Sequence, residues 1–277
     1  MKQQFDRTLR RIMEITRGRI SRPQTFSDFL HFSALLLSAR TDPVHTNQRV
    51  ESMERLKSNY RDEEWETFHQ GLVDLCRTFD RNVQIGLYKD LFAIPFTQIG
   101  ATSKALKQDF SPAAVGKVIG LISIPDKLTL PEEGFFLLGD RACGSGTLLL
   151  EGAQRIADFG YNPSAQLVIQ AADIDARCVH MTYLQLALYG IPAVVVQGNT
   201  MDLNEHDRWY TPAYLWKKWI WRAPMPFGKS GHISDEMLKR FDEPIYGAYR
   251  YMEHQFSTTG EASTPDEENN TESEALL

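Results

Sequence analysis

The feature that most constrains this chain is an alternation between residues 135 and 196, where short apolar runs are each followed by a stretch of helical period. Phe135-Phe136-Leu137-Leu138 is a continuous apolar run between Pro131-Glu132-Glu133-Gly134 and a glycine turn. Residues 147–158 return to helical period through Leu148, Leu149, Ala153, Ile156 and Ala157. Leu167-Val168-Ile169 forms a second run, 176–189 a second helical stretch stopped by Gly190 and Pro192, and Ala193–Val196 a third run. Such short runs between turn signals suit strands buried on both faces. Strand, helix, strand, helix, strand at this spacing predicts βαβ units, a parallel sheet and an α/β fold.

The N-terminal part carries helical periodicity without strand signals. Phe5, Leu9, Ile12 and Met13 predict a helix over 4–16. A second helix is expected to start near Thr25 or Ser27 and to run through Phe26, Phe29, Leu30, Phe32, Leu35 and Leu36. It should stop before Thr41-Asp42-Pro43, because the residue before proline disfavours helix. A charged third helix is expected over 46–59. A fourth, from Trp65 to Phe79, places Trp65, Phe68, Leu72, Leu75 and Cys76 on one side. The expected organisation is a helical subdomain over 1–95, an α/β domain over 96–256 and a disordered acidic tail over 257–277.

Charge distribution matters more than the net value of −6. Residues 257–277 hold six acids (Glu261, Asp266, Glu267, Glu268, Glu272, Glu274) and no base, so residues 1–256 balance to zero. Few apolar residues and an excess of charge predict disorder for that tail. The first 22 residues run the other way, with seven bases against two acids, a balance of +5. Such a segment either attracts phosphate or is a solvated helix face. Three scattered cysteines, Cys76, Cys143 and Cys178, offer neither a disulfide framework nor metal-ligand spacing, and suit a reducing cytoplasm. No apolar run approaches the roughly 18–20 residues of a membrane-spanning helix, and the charged start lacks the apolar stretch of a secretory signal.

The candidate chemistry lies at the turn after the first predicted strand, Gly139-Asp140-Arg141-Ala142-Cys143-Gly144-Ser145-Gly146-Thr147. An open parallel sheet binds ligands at this kind of place. Gly144 and Gly146 allow a tight turn and close backbone approach. The first N–H groups of the following helix favour an anionic group. The second strand ends in Asp173-Ile174-Asp175, where a carboxylate can accept hydrogen bonds from ribose hydroxyls. Asp173 comes first after the apolar run, and Asp175 is placed to cap the next helix. The third strand ends in Gln197-Gly198-Asn199-Thr200, where the Asn199 amide can meet an adenine edge.

Asp140 to Gly146 resembles the D-P-A-C-G-S-G cofactor loop of the N6-adenine DNA methyltransferases, including the modification subunits of type I restriction systems. Upstream, Gln108-Asp109-Phe110-Ser111-Pro112-Ala113-Ala114-Val115 is similar to that family's G-Q-F-F-T-P-x-x-V segment, which covers the methionine end of the cofactor. Downstream, Asp173, Gly190-Ile191 and Gly198-Asn199-Thr200 follow in the family's order, so the likeness spans about residues 85–201. The helical start, with Phe26-x-x-Phe29-Leu30, resembles small methylase-like proteins of mobile elements. The resemblance implies a class I, Rossmann-like fold and S-adenosyl-L-methionine as cofactor. It implies contacts from Phe110, Ser111, Pro112, Asp140, Ala142, Cys143, Gly144, Ser145, Gly146, Asp173 and Asn199. It also implies DNA as partner and methyl transfer to adenine N6.

The sequence departs from the family at several points. Arg141 stands where proline is usual, Ser111 replaces threonine and Asn199 a common aspartate. The N/D-P-P-Y/F tetrapeptide, which holds the target amine and stacks on the flipped base, is not found. Its nearest counterpart is Tyr210-Thr211-Pro212-Ala213-Tyr214, making Tyr210, Pro212 and Tyr214 weak catalytic candidates. Residues 208–234 interleave Arg208, Lys217, Lys218, Arg222 and Lys229 with seven aromatic residues and no acid. Two readings of this stretch are open. Arg208, Trp209, Trp216, Lys217, Lys218 and Arg222 contact nucleic acid, or the rings pack as core or as an oligomer interface. The chain thus reads as a methyltransferase acting on DNA, with a second copy or a partner subunit completing its site. The alternative is a catalytically silent module that binds cofactor and DNA. A nicotinamide enzyme fits less well, since Leu149 occupies the place of the third glycine in G-x-G-x-x-G.

Overall fold

The computed structural model describes residues 2–100, 128–199 and 204–222. Phe110, Ser111, Pro112 and the acidic tail lie outside the described residues. The N-terminal half is helical, with α1 (Lys2–Ile15), α2 (Arg22–Thr41), α3 (Thr46–Lys57), α4 (Asp62–Gln84) and the short α5 (Ala93–Gln98). Helix α2 begins earlier than its apolar spacing predicts. The Ser21 hydroxyl accepts the Gln24 N–H, and Pro23 occupies the first turn, where its missing N–H costs nothing. The helix ends at Thr41, as the following Asp42-Pro43 requires. Asp42 then accepts the Val44 N–H at 3.0 Å and pairs with His45 Nδ1 at 2.7 Å, turning the chain into α3.

The C-terminal half alternates as expected: β1 (Phe136–Asp140), α6 (Thr147–Asp158), the one-turn α7 (Pro163–Gln166), β2 (Leu167–Asp173), α8 (Ala176–Leu188) and β3 (Ala193–Asn199). Strand β4 (Asn204–Tyr210) follows, then two short helices, α9 (Pro212–Trp216) and α10 (Trp219–Arg222). The sheet has the order β1-β2-β3-β4. The first three strands are parallel, and β4 runs antiparallel to β3. The β4 strand carries no apolar run because its first half is a polar, partly exposed edge; only Arg208, Trp209 and Tyr210 are buried.

Alternate residues of the strands go to opposite faces. Phe136, Leu167, Ile169, Ala171, Ala193, Val195 and Trp209 share one core with α6, α8 and the N-terminal helices. Phe135, Val168, Ala172, Val194, Val196 and Tyr210 face the other way, against Tyr214, Leu215 and Trp219. Helix α8 is buried on every side because it lies between the sheet and α2. Helix α2 in turn buries Phe26, Phe29, Phe32 and Leu35 completely. Truncating any of these phenylalanines to alanine should cost about 3–5 kcal/mol. The helical part and the sheet therefore share one continuous core. The architecture is mixed α/β: an N-terminal helical region on a small, open, largely parallel sheet of the general Rossmann-like kind. No helix among the described residues is long and apolar enough to cross a membrane.

Candidate functional site

Because β1, β2 and β3 run parallel, Asp140, Asp173 and Asn199 end their strands at the same edge of the sheet. The loop from Arg141 to Gly146 closes over that edge. The Cys143 N–H donates to the Ala172 carbonyl at 3.0 Å, continuing the β1–β2 ladder by one more bond. The Gly144 N–H donates to Asp173 Oδ2 at 2.9 Å, and the Gly146 N–H to the Cys143 carbonyl at 2.8 Å. Gly144 and Gly146 have φ of 55° and 89°, left-handed values that disfavour side chains. A Cβ on Gly146 would also lie 3.0 Å from Thr182 Oγ1. That hydroxyl, from α8, donates to the Gly144 carbonyl at 2.9 Å. The turn is thus fixed both by its own glycines and by the helix behind it. Gly146 caps α6 without a side chain, so no cap side chain bonds to the first N–H groups of that helix.

Asp173 sits where the two crossovers meet. Its Oδ1 accepts the Asp175 N–H at 2.9 Å, complementing the bond from Gly144 to Oδ2. Each oxygen keeps a second lone pair for an incoming hydroxyl. Burial pushes this carboxyl above its ordinary range; the two backbone bonds oppose that, and the charges of Asp175 and Asp140 add to it. Asp175 instead caps α8 through the Arg177 N–H at 2.9 Å and grips the Arg177 guanidinium. Ile174, between the two acids, is 51% exposed and offers an apolar surface beside Asp173. Asp140 accepts the Ala142 N–H at 2.9 Å. Cys143 is buried, and desolvation pushes its thiol up, so it is no nucleophile at neutral pH.

Sequence reasoning missed Asp90. Its Oδ2 accepts the Thr147 hydroxyl at 2.6 Å and the Ser145 hydroxyl. Its Oδ1 accepts the Phe92 and Ala93 N–H groups at 2.8 and 3.0 Å and Gln185 Nε2 at 3.1 Å. Gln185 also donates to the Ser145 carbonyl at 2.7 Å and accepts the Leu91 N–H at 2.7 Å. The segment entering α5 is thereby locked to the glycine loop. Asp90 lies far upstream, between no recognisable motif residues, so nothing in the local pattern marks it.

The weak catalytic candidates are not brought to this loop. Because β4 is antiparallel, Asn204 pairs with Asn199 at the loop's edge, whereas Tyr210 pairs with Val194 near the opposite edge. Five strand residues separate those positions, about 16 Å. Tyr210 and Tyr214 are buried and stacked on each other, with ring centroids 5.7 Å apart. Thr211 is buried as well, donating to the Ile191 carbonyl at 2.9 Å and accepting the Ala193 N–H at 2.8 Å. The basic and aromatic candidates divide similarly. Trp209 is a core residue beneath the Arg49 guanidinium, 3.6 Å from its ring. Arg208 is buried and pairs with Glu205. Lys217 donates to Ser164, while Lys218 and Arg222 are exposed and Trp216 is half-buried. In this stretch the packing role accounts for Trp209, Tyr210, Tyr214 and Trp219.

Comparisons with family models, curated proteins and solved structures gave no match for the chain.

Proposed function

We propose that the edge formed by Asp140, Gly144, Ser145, Gly146 and Asp173 binds S-adenosyl-L-methionine. On this reading the chain is a class I methyltransferase-like protein of the adenine-N6 DNA type. The observation that carries the proposal is the tie between two strand ends: the Gly144 N–H on the Asp173 carboxylate, inside a loop whose sequence resembles the cofactor loop of those enzymes. The donor set fits the cofactor. Asp173 can accept ribose hydroxyls on its spare lone pairs, and Ile174 presents an apolar face to a flat base. The uncapped start of α6 favours the carboxylate of the methionyl part. The carboxylates of Asp140 and Asp173 at one edge also suit a ligand that carries a sulfonium cation. When bound, the cofactor supplies an electrophilic methyl group; the protein aligns donor and acceptor and excludes water. Asp173 holds the sugar, and the glycine loop sets how deeply the nucleoside sits.

A second reading is favoured by a specific observation. Tyr210, Pro212 and Tyr214, the nearest counterpart of the amine-binding tetrapeptide, lie toward the other edge of the sheet from the loop. A module that binds cofactor and DNA without transferring methyl groups is consistent with that placement, as is a site completed by a second copy or a partner subunit. Isothermal titration with S-adenosylmethionine, with NAD as comparison, tests the first claim, and transfer of labelled methyl to unmethylated DNA tests the second. Binding of the sulfonium nucleoside alone is expected, weakened by about 1.5–3 kcal/mol in Asp173→Ala. Preference for NAD, or unchanged affinity in that variant, would overturn the assignment. Binding without transfer would leave the silent module.

A further inference from the structure

Helix α1 divides sharply into two faces. Leu9 and Ile12 are 2% and 0% exposed and belong to the core, with Ile12 lying against Gly71 of α4. Thr8, on the same side, donates to Asp74 of α4 at 2.9 Å. Arg7, Arg10 and Arg11 are exposed on the opposite side, and at 100° per residue they span about one third of the helix circumference. Arg7 and Arg11 stand one turn apart, about 6 Å along the axis. Glu14, an acid on the same stripe, is engaged by Arg22 and by Arg17. Asp74 is held by Thr8 and by Arg77 at 3.5 Å. Among the described side chains, which in α1 begin at Arg7, no carboxylate pairs with Arg7, Arg10 or Arg11. A protein of net charge −6 thus presents three exposed guanidinium groups together on one helix face, unpaired among the described side chains.

We infer that this outward face of α1 binds nucleic acid, meeting the phosphate backbone of duplex DNA through Arg7, Arg10 and Arg11. A planar guanidinium binds phosphate through two parallel hydrogen bonds, and a run of three suits a polymer with closely spaced phosphates better than a single small anion. An anionic bilayer would also attract the charge. A helix that lies in a membrane surface buries its apolar side in lipid, however, and here that side is committed to the protein core. The choice of DNA as the polymer rests on the function proposed above; the surface itself does not depend on the cofactor site. Backbone contacts of this kind set affinity and register and carry no sequence information.

The test is fluorescence anisotropy of a labelled, mixed-sequence duplex titrated with the full chain over a range of NaCl concentrations. The triple variant Arg7→Gln/Arg10→Gln/Arg11→Gln should bind about tenfold more weakly or worse near 0.1 M salt, and its dependence of log K on log salt should be shallower by about 2–3. The triple Arg→Lys variant should retain most of the affinity, and all forms should keep the parent melting temperature, since the three side chains are exposed. A control that removes equal charge elsewhere, Arg55→Gln/Lys57→Gln/Arg61→Gln, should bind as the parent does. An equal loss in that control would overturn the proposal. So would absence of DNA binding by the parent at 50 mM salt, or loss of binding to phosphatidylserine vesicles but not to DNA in the triple Gln variant. Affinity for S-adenosylmethionine should be the same in all forms, so failure of the cofactor assignment and failure of this one are separately visible.

Discussion

The carboxylate of Asp90 receives the hydroxyl of Thr147 at 2.6 Å across 57 residues of chain. That bond joins the segment leading into α5 to the first residue of α6. The same carboxylate takes the Ser145 hydroxyl, so the turn that follows β1 is held from the helical half of the molecule. Replacing Asp90 by alanine leaves two hydroxyls, two backbone N–H groups and the Gln185 amide without their shared acceptor. The expected cost is about 2–3 kcal/mol in urea unfolding. A drop in S-adenosylmethionine affinity should accompany it, because Ser145 and Gly146 lose their fixed position. Unchanged stability would mean that water replaces the carboxylate freely.

Gly146 is the tightest point of the turn. An alanine there must adopt φ near 89° and place its Cβ 3.0 Å from the Thr182 hydroxyl. The left-handed conformation alone costs an L-residue about 1–2 kcal/mol, and Thr182 cannot retreat without loosening its bond to the Gly144 carbonyl. Gly146→Ala should therefore be less stable by at least about 1 kcal/mol and should bind the nucleoside more weakly. Thermal unfolding with and without ligand measures both effects.

The raised pKa of Asp173 gives the site a pH signature. Its cause is burial, reinforced by Asp175 and Asp140. A carboxyl whose pKa is higher in the folded protein than in the unfolded chain favours folding when protonated; that contribution is lost as pH rises through the folded-state value. On the proposed reading ligand binding has the opposite sense, because ribose hydroxyls would donate to the ionised form. Affinity should be full at neutral pH and should fall on acidification, starting above the ordinary carboxylate value of 3.8. Titrations from pH 7 to pH 4.5 would reveal it, and Asp173→Asn should flatten the profile while lowering the affinity at neutral pH.

The sequence announced those parts of the molecule where local pattern and burial agree. The apolar runs of β2 and β3 are central strands buried on both faces, whereas β1, at the edge of the described sheet, leaves Leu137 46% exposed. Each run still falls where it predicts a strand, shifted or extended by a few residues. Strand β4 was illegible because its first four residues are polar and partly exposed, so no apolar run marks it. Its sequence, Asn204-Glu205-His206-Asp207-Arg208, reads as loop until its pairing with β3 is known. The aromatic residues from Trp209 to Trp219 carried two readings because composition cannot tell a stacking platform from a core. That distinction depends on which face of the sheet lacks a helix, and the rings of Tyr210, Tyr214 and Trp219 supply the cover. In the candidate site, the glycine turn and Asp173 were visible through local steric and positional signals. Asp90 and Thr182 were not, since each acts only through contacts made when distant segments meet.

His31 and His180 stack with ring centroids 4.3 Å apart, deep between α2 and α8, and His180 lies edge-on to Trp209. Burial is the leading cause of a lowered pKa in both; His31 is pushed down to about 4, with the Arg49 charge adding to the effect. A histidine that is neutral in the fold contributes stability in full above its unfolded pKa near 6.5, and that contribution is lost as pH falls toward the folded value. Stability should therefore decline between pH 6.5 and pH 4, at up to about 1.4 kcal/mol per pH unit for each histidine. His180→Phe, which keeps a flat ring against Trp209, should reduce that slope; an unchanged slope would locate the acid sensitivity elsewhere.

The Arg49–Asp207 pair makes a stronger demand on stability. Arg49 from α3 is 2% exposed and donates to both oxygens of Asp207 on β4, at 2.6 and 2.9 Å, and to the Arg208 carbonyl at 2.7 Å. Its guanidinium also covers the Trp209 ring, so the edge strand is bound to the helical half across 158 residues of chain. Asp207→Ala strands a buried cation and should cost about 3–5 kcal/mol, enough to unfold a marginal domain. Removing both charges, as in Arg49→Met/Asp207→Leu, removes the desolvation penalty with them. That double variant should recover most of the lost stability in urea denaturation, because well-packed apolar side chains replace a buried pair at little net cost. A double variant no more stable than Asp207→Ala would show that the hydrogen bond to the Arg208 carbonyl and the stacking on Trp209, rather than the ion pair, hold β4 in place.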